Sequence, residues 1–178
     1  MAEEKKEKWL NYLALTTVIF AVCATLSTFK GGGFSTRSVL AQTQASDQWA
    51  YYQAKSLKGY IYETQKEKLE LELRSSGGRM PKPLVQEYEQ KVDAYAKKIK
   101  KYEEEKKQIE SDARKFESVK EDAQKHAQIF GVAVIFLQIA ILLSSISALL
   151  KKKIVWVLGL ALGIVGLVYF ANGFLLFY

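Results

Sequence analysis

The sequence predicts an all-α membrane protein: three transmembrane helices, with a long antiparallel helical (coiled-coil) hairpin inserted between the first and the second. Three observations carry that prediction. Three long apolar runs occupy the ends of the 178-residue chain, almost all the charge lies between them, and the charged middle is split by one strong turn signal. The mean hydropathy of −0.07 averages two different materials and describes neither.

The runs are WLNYLALTTVIFAVCATLSTF (9–29), IFGVAVIFLQIAILLSSISALL (129–150) and IVWVLGLALGIVGLVYFANGFLLFY (154–178). They hold 21, 22 and 25 residues and no Asp, Glu, Lys, Arg or His. A helix needs about 20 apolar residues to cross a hydrocarbon core of ~30 Å, and buried helices of soluble proteins rarely run so far without a charge. The first run follows a charged lead-in (residues 1–8), but it is longer than a signal-peptide core and no A-x-A site follows it. A retained span is therefore expected.

Short loops rich in Lys and Arg stay cytoplasmic. Lys151, Lys152 and Lys153 join the second and third runs without an acid, and Lys5, Lys6 and Lys8 precede the first. The expected topology places residues 1–8 and 151–153 in the cytoplasm and the middle segment outside. Trp9 and Trp156 then fall at the cytoplasmic headgroup layer, where indole rings are favoured. The basic cluster Arg114, Lys115, Lys120 and Lys125 points the other way, but long segments translocate largely regardless of charge.

The middle segment, residues 30–128, carries 20 Lys and Arg against 16 Asp and Glu. The signs alternate along it, which fits solvated helix faces and argues against a nucleic-acid surface. Gly31, Gly32 and Gly33 are expected to end the first span, since each glycine costs about 1 kcal/mol in a helix, and Ser35 or Thr36 to cap a new one. SSGGRMPKP (75–83) is the hairpin tip, with a Gly pair and two prolines. The arms on either side measure about 60 and 66 Å at ~1.5 Å per residue, which would hold the tip roughly 60 Å from the bilayer.

The second arm shows a heptad over Val85, Tyr88, Val92, Tyr95, Ile99, Tyr102, Lys106, Ile109, Ala113, Phe116, Lys120 and Ala123. The first arm keeps similar spacing at Ala50, Ala54, Leu57, Ile61, Thr64, Lys68 and Leu71, which marks its expected seam. Folding the arms about Arg79 sets Tyr95 opposite Tyr62, Ile99 opposite Gly59, Tyr102 opposite Ser56 and Ile109 opposite Trp49. Gly59 would leave room for a bulky partner.

The stretch ASDQWAYYQAKSLKGYIYETQ (45–65) concentrates Trp49, Tyr51, Tyr52, Tyr60 and Tyr62. Base-stacking platforms pair aromatics with a basic groove. Here helical spacing and abundant Glu favour a seam shared with Tyr88, Tyr95 and Tyr102. One seam cannot bury all five, because they point around most of the helix. The surplus, expected to include Tyr51 and Tyr52, implies a second helix or partner.

The spans carry packing signals. Gly159, Gly163 and Gly166 give the third a smooth face for close helix approach, and Gln138 and Asn172 are candidates for hydrogen bonds between helices. The same Gln138, with Ser144, Ser145 and Ser147, would line water in a pore. No catalytic constellation is found. The lone Cys23 lies in a span, the lone His126 has no ligand-spaced partners, and the glycine run lacks the P-loop pattern. No cofactor, metal or small-molecule substrate is expected; lipid and a second copy or a membrane complex are the expected partners.

Four blocks, EEKKEKWLNYLALTT (3–17), ASDQWAYYQAKS (45–56), FGVAVIFLQIAILLSSISAL (130–149) and LGLALGIVGLVYFANGF (158–174), resemble the bacterial membrane family known as the domain of unknown function 4337 family. The resemblance covers essentially the whole chain. It implies a bacterial integral membrane protein with the same three spans, and it brings no reaction and no catalytic residues. The functional expectation is thus a non-enzymatic inner-membrane scaffold or accessory subunit, with an oligomeric channel as the alternative.

Overall fold

The computed structural model describes residues 8–177; Lys5 and Lys6 of the orientation argument lie outside them. Among the described residues there are three helices: α1 (Lys8–Ser75), α2 (Lys82–Leu150) and α3 (Lys153–Leu175). No strand occurs among the described residues. Each helix contains a stretch long and apolar enough to cross a membrane.

The chain forms two compact units, one of residues 1–40 with 119–178 and one of residues 41–118. In the first unit, Phe20 and Ala24 of α1 pack against Leu137 and Ala140 of α2 to form the buried core, with Cys23, Ile141, Leu160 and Leu167 around it. Phe130 is wholly buried and acts as a hub. Its ring meets Phe34, Phe170 and Phe174 at centroid distances of 6.0, 6.3 and 5.0 Å.

Contrary to expectation, α1 passes through Gly31–Gly33 without a break. Thr36 does not cap a new helix: its Oγ1 donates to the Gly32 carbonyl four residues back, a bond of helix interiors. Gly31 has a packing role, since a Cβ there would lie 3.1 Å from Phe130 Cβ. The intrinsic cost of about 1 kcal/mol per glycine is outweighed by the helical hydrogen bonds and by the aromatic packing that close approach allows.

The turn between α2 and α3 is tight. Lys151 adopts a left-handed φ of 51°, and the Ser147 hydroxyl donates to the Lys152 carbonyl at 2.8 Å. Beside it Trp9 and Trp156 meet at 6.1 Å, the Trp156 indole N–H donates to Thr16 Oγ1, and the Lys153 ammonium sits over Trp9.

In the second unit, partner numbers rise along α2 as they fall along α1. Tyr62 meets Tyr95, Lys55 meets Glu105 and Trp49 meets Glu117. The two arms therefore run in opposite directions. Gly77 (φ 54°) and Gly78 (φ 80°) make the turn between them, using left-handed backbone that glycine adopts at no steric cost. Pro83 falls in the first turn of α2, where its missing N–H loses no helical bond.

Every heptad position expected on the second arm is withdrawn from solvent, with Ile109, Ala113 and Ala123 buried. The first arm differs from expectation. Ala50, Ala54, Leu57, Ile61, Thr64, Lys68 and Leu71 are all exposed. The face turned to α2 is instead Ala41, Ala45, Gln48, Tyr52, Lys55, Gly59, Tyr62, Lys66, Leu69 and Leu73. This face also keeps an alternating four-three spacing, two residues out of step with the expected one. Gly59 lies on it, yet a Cβ there would touch nothing within 4 Å, so room for a bulky partner does not account for that glycine.

Two glycine substitutions separate packing from propensity. In Gly166→Leu the new Cβ would lie 2.8 Å from Leu137 Cγ and 3.1 Å from the Leu137 backbone nitrogen, so a loss of about 1–3 kcal/mol is expected. Gly131→Ala, whose Cβ meets nothing within 4 Å, is expected to be neutral or to gain up to about 1 kcal/mol. Detergent-phase unfolding followed by circular dichroism distinguishes the two.

Candidate functional site

The second unit concentrates the chemistry, on a seam built of rings and cations in place of aliphatic knobs. Tyr62 is its centre. Its ring packs on Tyr95 at 5.4 Å and stacks on Tyr102 at 5.9 Å. The Lys98 ammonium lies 4.6 Å from the same ring and donates to the Tyr62 hydroxyl at 3.2 Å. Lys55 reaches across to Glu105 at 2.6 Å and sits over the rings of Tyr51 and Tyr102. Lys106 pairs with Glu103 on its own helix and covers Tyr52.

Long lysine stems can lie along apolar surface while the ammonium finds an oxygen or the negative face of a ring. That is how Lys55 and Lys106, each with only 14% of its side chain exposed, occupy seam positions. Trp49 is expected opposite Ile109, but its indole N–H donates to Glu117 Oε1 at 2.8 Å, and its ring meets the Tyr52 edge. Tyr52 therefore belongs to the seam, a correction to its expected place among the surplus. The Glu72 carboxylate beside Tyr88 pushes its phenol pKa up. Tyr51 and Tyr60 stay exposed.

In the first unit the glycine face of α3 is filled by the chain's own helices. Gly163 abuts the Phe20 ring, Gly166 abuts Leu137, and Gly159 lies against the Ala140 carbonyl and Leu143. Asn172 is wholly buried but does not bridge helices. Its Oδ1 accepts the Phe177 N–H at 2.7 Å and its carbonyl accepts the Leu176 N–H at 2.8 Å, closing the end of α3 around a left-handed Leu176. Gln138 lies on an exposed face of α2. The serine cluster is divided: Ser144 and Ser147 are buried, while Ser145 is exposed and donates to the Ile141 carbonyl.

His126 has a role that its spacing could not show. Its Nδ1 lies 2.7 Å from the Gly173 carbonyl of α3, and its ring stacks on Phe34 of α1 at 4.4 Å. It thus ties all three helices together. Among the described residues no group of three His, Cys, Asp or Glu side chains comes together as a metal site.

The fold and its surface define an all-helical protein with three helices long and apolar enough to span a membrane. The family model described as "Domain of unknown function (DUF4337)" matches residues 9–176, and the chain belongs to that family. No curated protein matches the chain. No solved structure matches it.

The Lys55–Glu105 pair yields a pH prediction. The Lys55 ammonium paired with it holds the Glu105 carboxyl below its ordinary value, against the opposing effect of burial. A lowered carboxyl pKa adds stability above the unfolded value of about 4.3, and that stability is lost as pH falls through the folded value. Acid titration of helix content is expected to show this loss below about pH 4.3, small because the pair is partly solvated. Glu105→Gln is expected to flatten that portion of the profile.

Proposed function

We propose that this chain is a bacterial inner-membrane protein acting as a non-enzymatic scaffold, either as a homo-oligomer or as an accessory subunit of a larger membrane complex. Its N-terminus and Lys151–Lys153 lie in the cytoplasm and its paired arms in the periplasm. One observation carries the reading: α1 and α2 each continue unbroken from an apolar span into a charged arm, and the arms pair with each other through Tyr62 on Tyr95, Lys55 on Glu105 and Trp49 on Glu117. An arm of that kind offers surface and reach. Tyr51 and Tyr60, left outside the seam, suit contact with a neighbour, since tyrosine adds large rigid area at low entropic cost. Mass measurement of the detergent-solubilised protein tests the proposal: a particle larger than one chain, or one carrying a partner, is expected, and a bare monomer would overturn it.

A second reading rests on Gln138 and Ser145. They lie seven residues apart on exposed positions of one face of α2; the Ser145 hydroxyl is satisfied by the Ile141 carbonyl, and the Gln138 amide facing lipid is costly unless it meets a partner or water. An oligomer lining a pore with that face predicts solute or ion flux in liposomes that changes on Gln138→Leu. Absence of flux under every imposed gradient would remove this reading.

A further inference from the structure

The outer face of the first arm carries a second heptad-spaced stripe, exposed along its length. Ala50, Ala54, Leu57, Ile61, Thr64, Lys68 and Leu71 recur at alternating steps of four and three, the repeat by which one helix follows another. Each lies two residues beyond a position facing α2, which is about 200° around the helix at ~3.6 residues per turn. The stripe therefore lies nearly opposite the seam with α2. Its apolar members are bare: Leu57, Ile61 and Leu71 are 62, 51 and 64% exposed. Scattered exposed leucines need no explanation, but a heptad-spaced row on a charged arm does.

We infer that this stripe pairs with the same stripe of a second copy, parallel and in register, so that two hairpins join through their α1 arms. The inference rests on the membrane-scaffold reading, because anchoring in one bilayer is what gives both copies the same direction. The residue types argue for this occupant. With Ala54, Ile61 and Lys68 at the a positions and Ala50, Leu57, Thr64 and Leu71 at the d positions, the centre of the stripe sets β-branched Ile61 at a beside Leu57 at d, the combination that favours two parallel strands. A single Lys at an a position is a device that sets register. In an isologous pair each residue meets its own copy, so small Ala50 and Ala54 face small residues while Leu57 and Ile61 face large ones. The exposed Tyr51 and Tyr60 then fall at the flanking e and g positions, where they cover the edges of the pair.

Cysteine cross-linking of the full-length protein in native membranes tests this. In a Cys23→Ser background, Ala54→Cys, Leu57→Cys and Ile61→Cys are expected to form disulfide-linked dimers several-fold more efficiently than Glu63→Cys, which lies two residues past Ile61 and about 200° away around the helix. Leu57→Glu combined with Ile61→Glu is expected to lower the particle mass while leaving helix content unchanged. Equal cross-linking at Glu63→Cys, or adducts with a different polypeptide, would overturn the inference. An oligomer whose mass ignores both stripe substitutions would overturn it and leave the scaffold reading standing; a bare monomer would overturn both.

Discussion

A helix turns once in about 3.6 residues, so it keeps one face against a neighbour over many turns only if the facing residues recur every 3.5. That constraint governs the second unit. On α2 the withdrawn positions keep the repeat from Val85 to Ala123, and on the first arm they keep it from Ala41 to Leu73. The identity of the seam residues is free within that spacing, which is why a lysine or a glycine can stand where leucine is usual.

The seam is polar by composition and apolar by contact. Lys55, Lys98 and Lys106 contribute stems to packing and ammonium groups to ring faces, and Glu105 and Glu117 take up the remaining charge and the indole N–H. A pairing surface of this kind is more selective than a greasy one, because a shifted register would strand a half-buried cation without its carboxylate. The first unit solves the same problem differently. Glycines on α1 and α3 admit Phe20, Phe130 and Leu137, and close approach takes the place of side-chain interdigitation.

Much of the architecture was legible in advance. Uninterrupted apolar runs, a Gly-Gly turn followed by proline, and the aromatic heptad of α2 each follow from short-range chemistry. The misreadings share one cause. Intrinsic propensity predicts a break at the glycine run, at about 1 kcal/mol per residue, but the helix continues through it and Gly31 packs against Phe130. Apolarity alone favours the outer stripe of the first arm, and the structure turns the other inward, where cations and rings meet across the seam: Lys55 over Tyr102, Lys98 over Tyr62 and Lys106 over Tyr52. Asn172 and His126 were unreadable for a related reason: their partners Phe177, Gly173 and Phe34 carry no spacing signal.

The sequence alone determined where helices start and stop around Gly77–Gly78 and Lys151, and which stretches are apolar enough to span a membrane, since those depend on backbone conformation and on summed hydropathy. Which face of the first arm meets α2, and which faces of the spans are used up within the chain, only the tertiary structure decided. Facing is a comparison between two whole surfaces, and a helix carrying two stripes of equal period holds no local signal that ranks them.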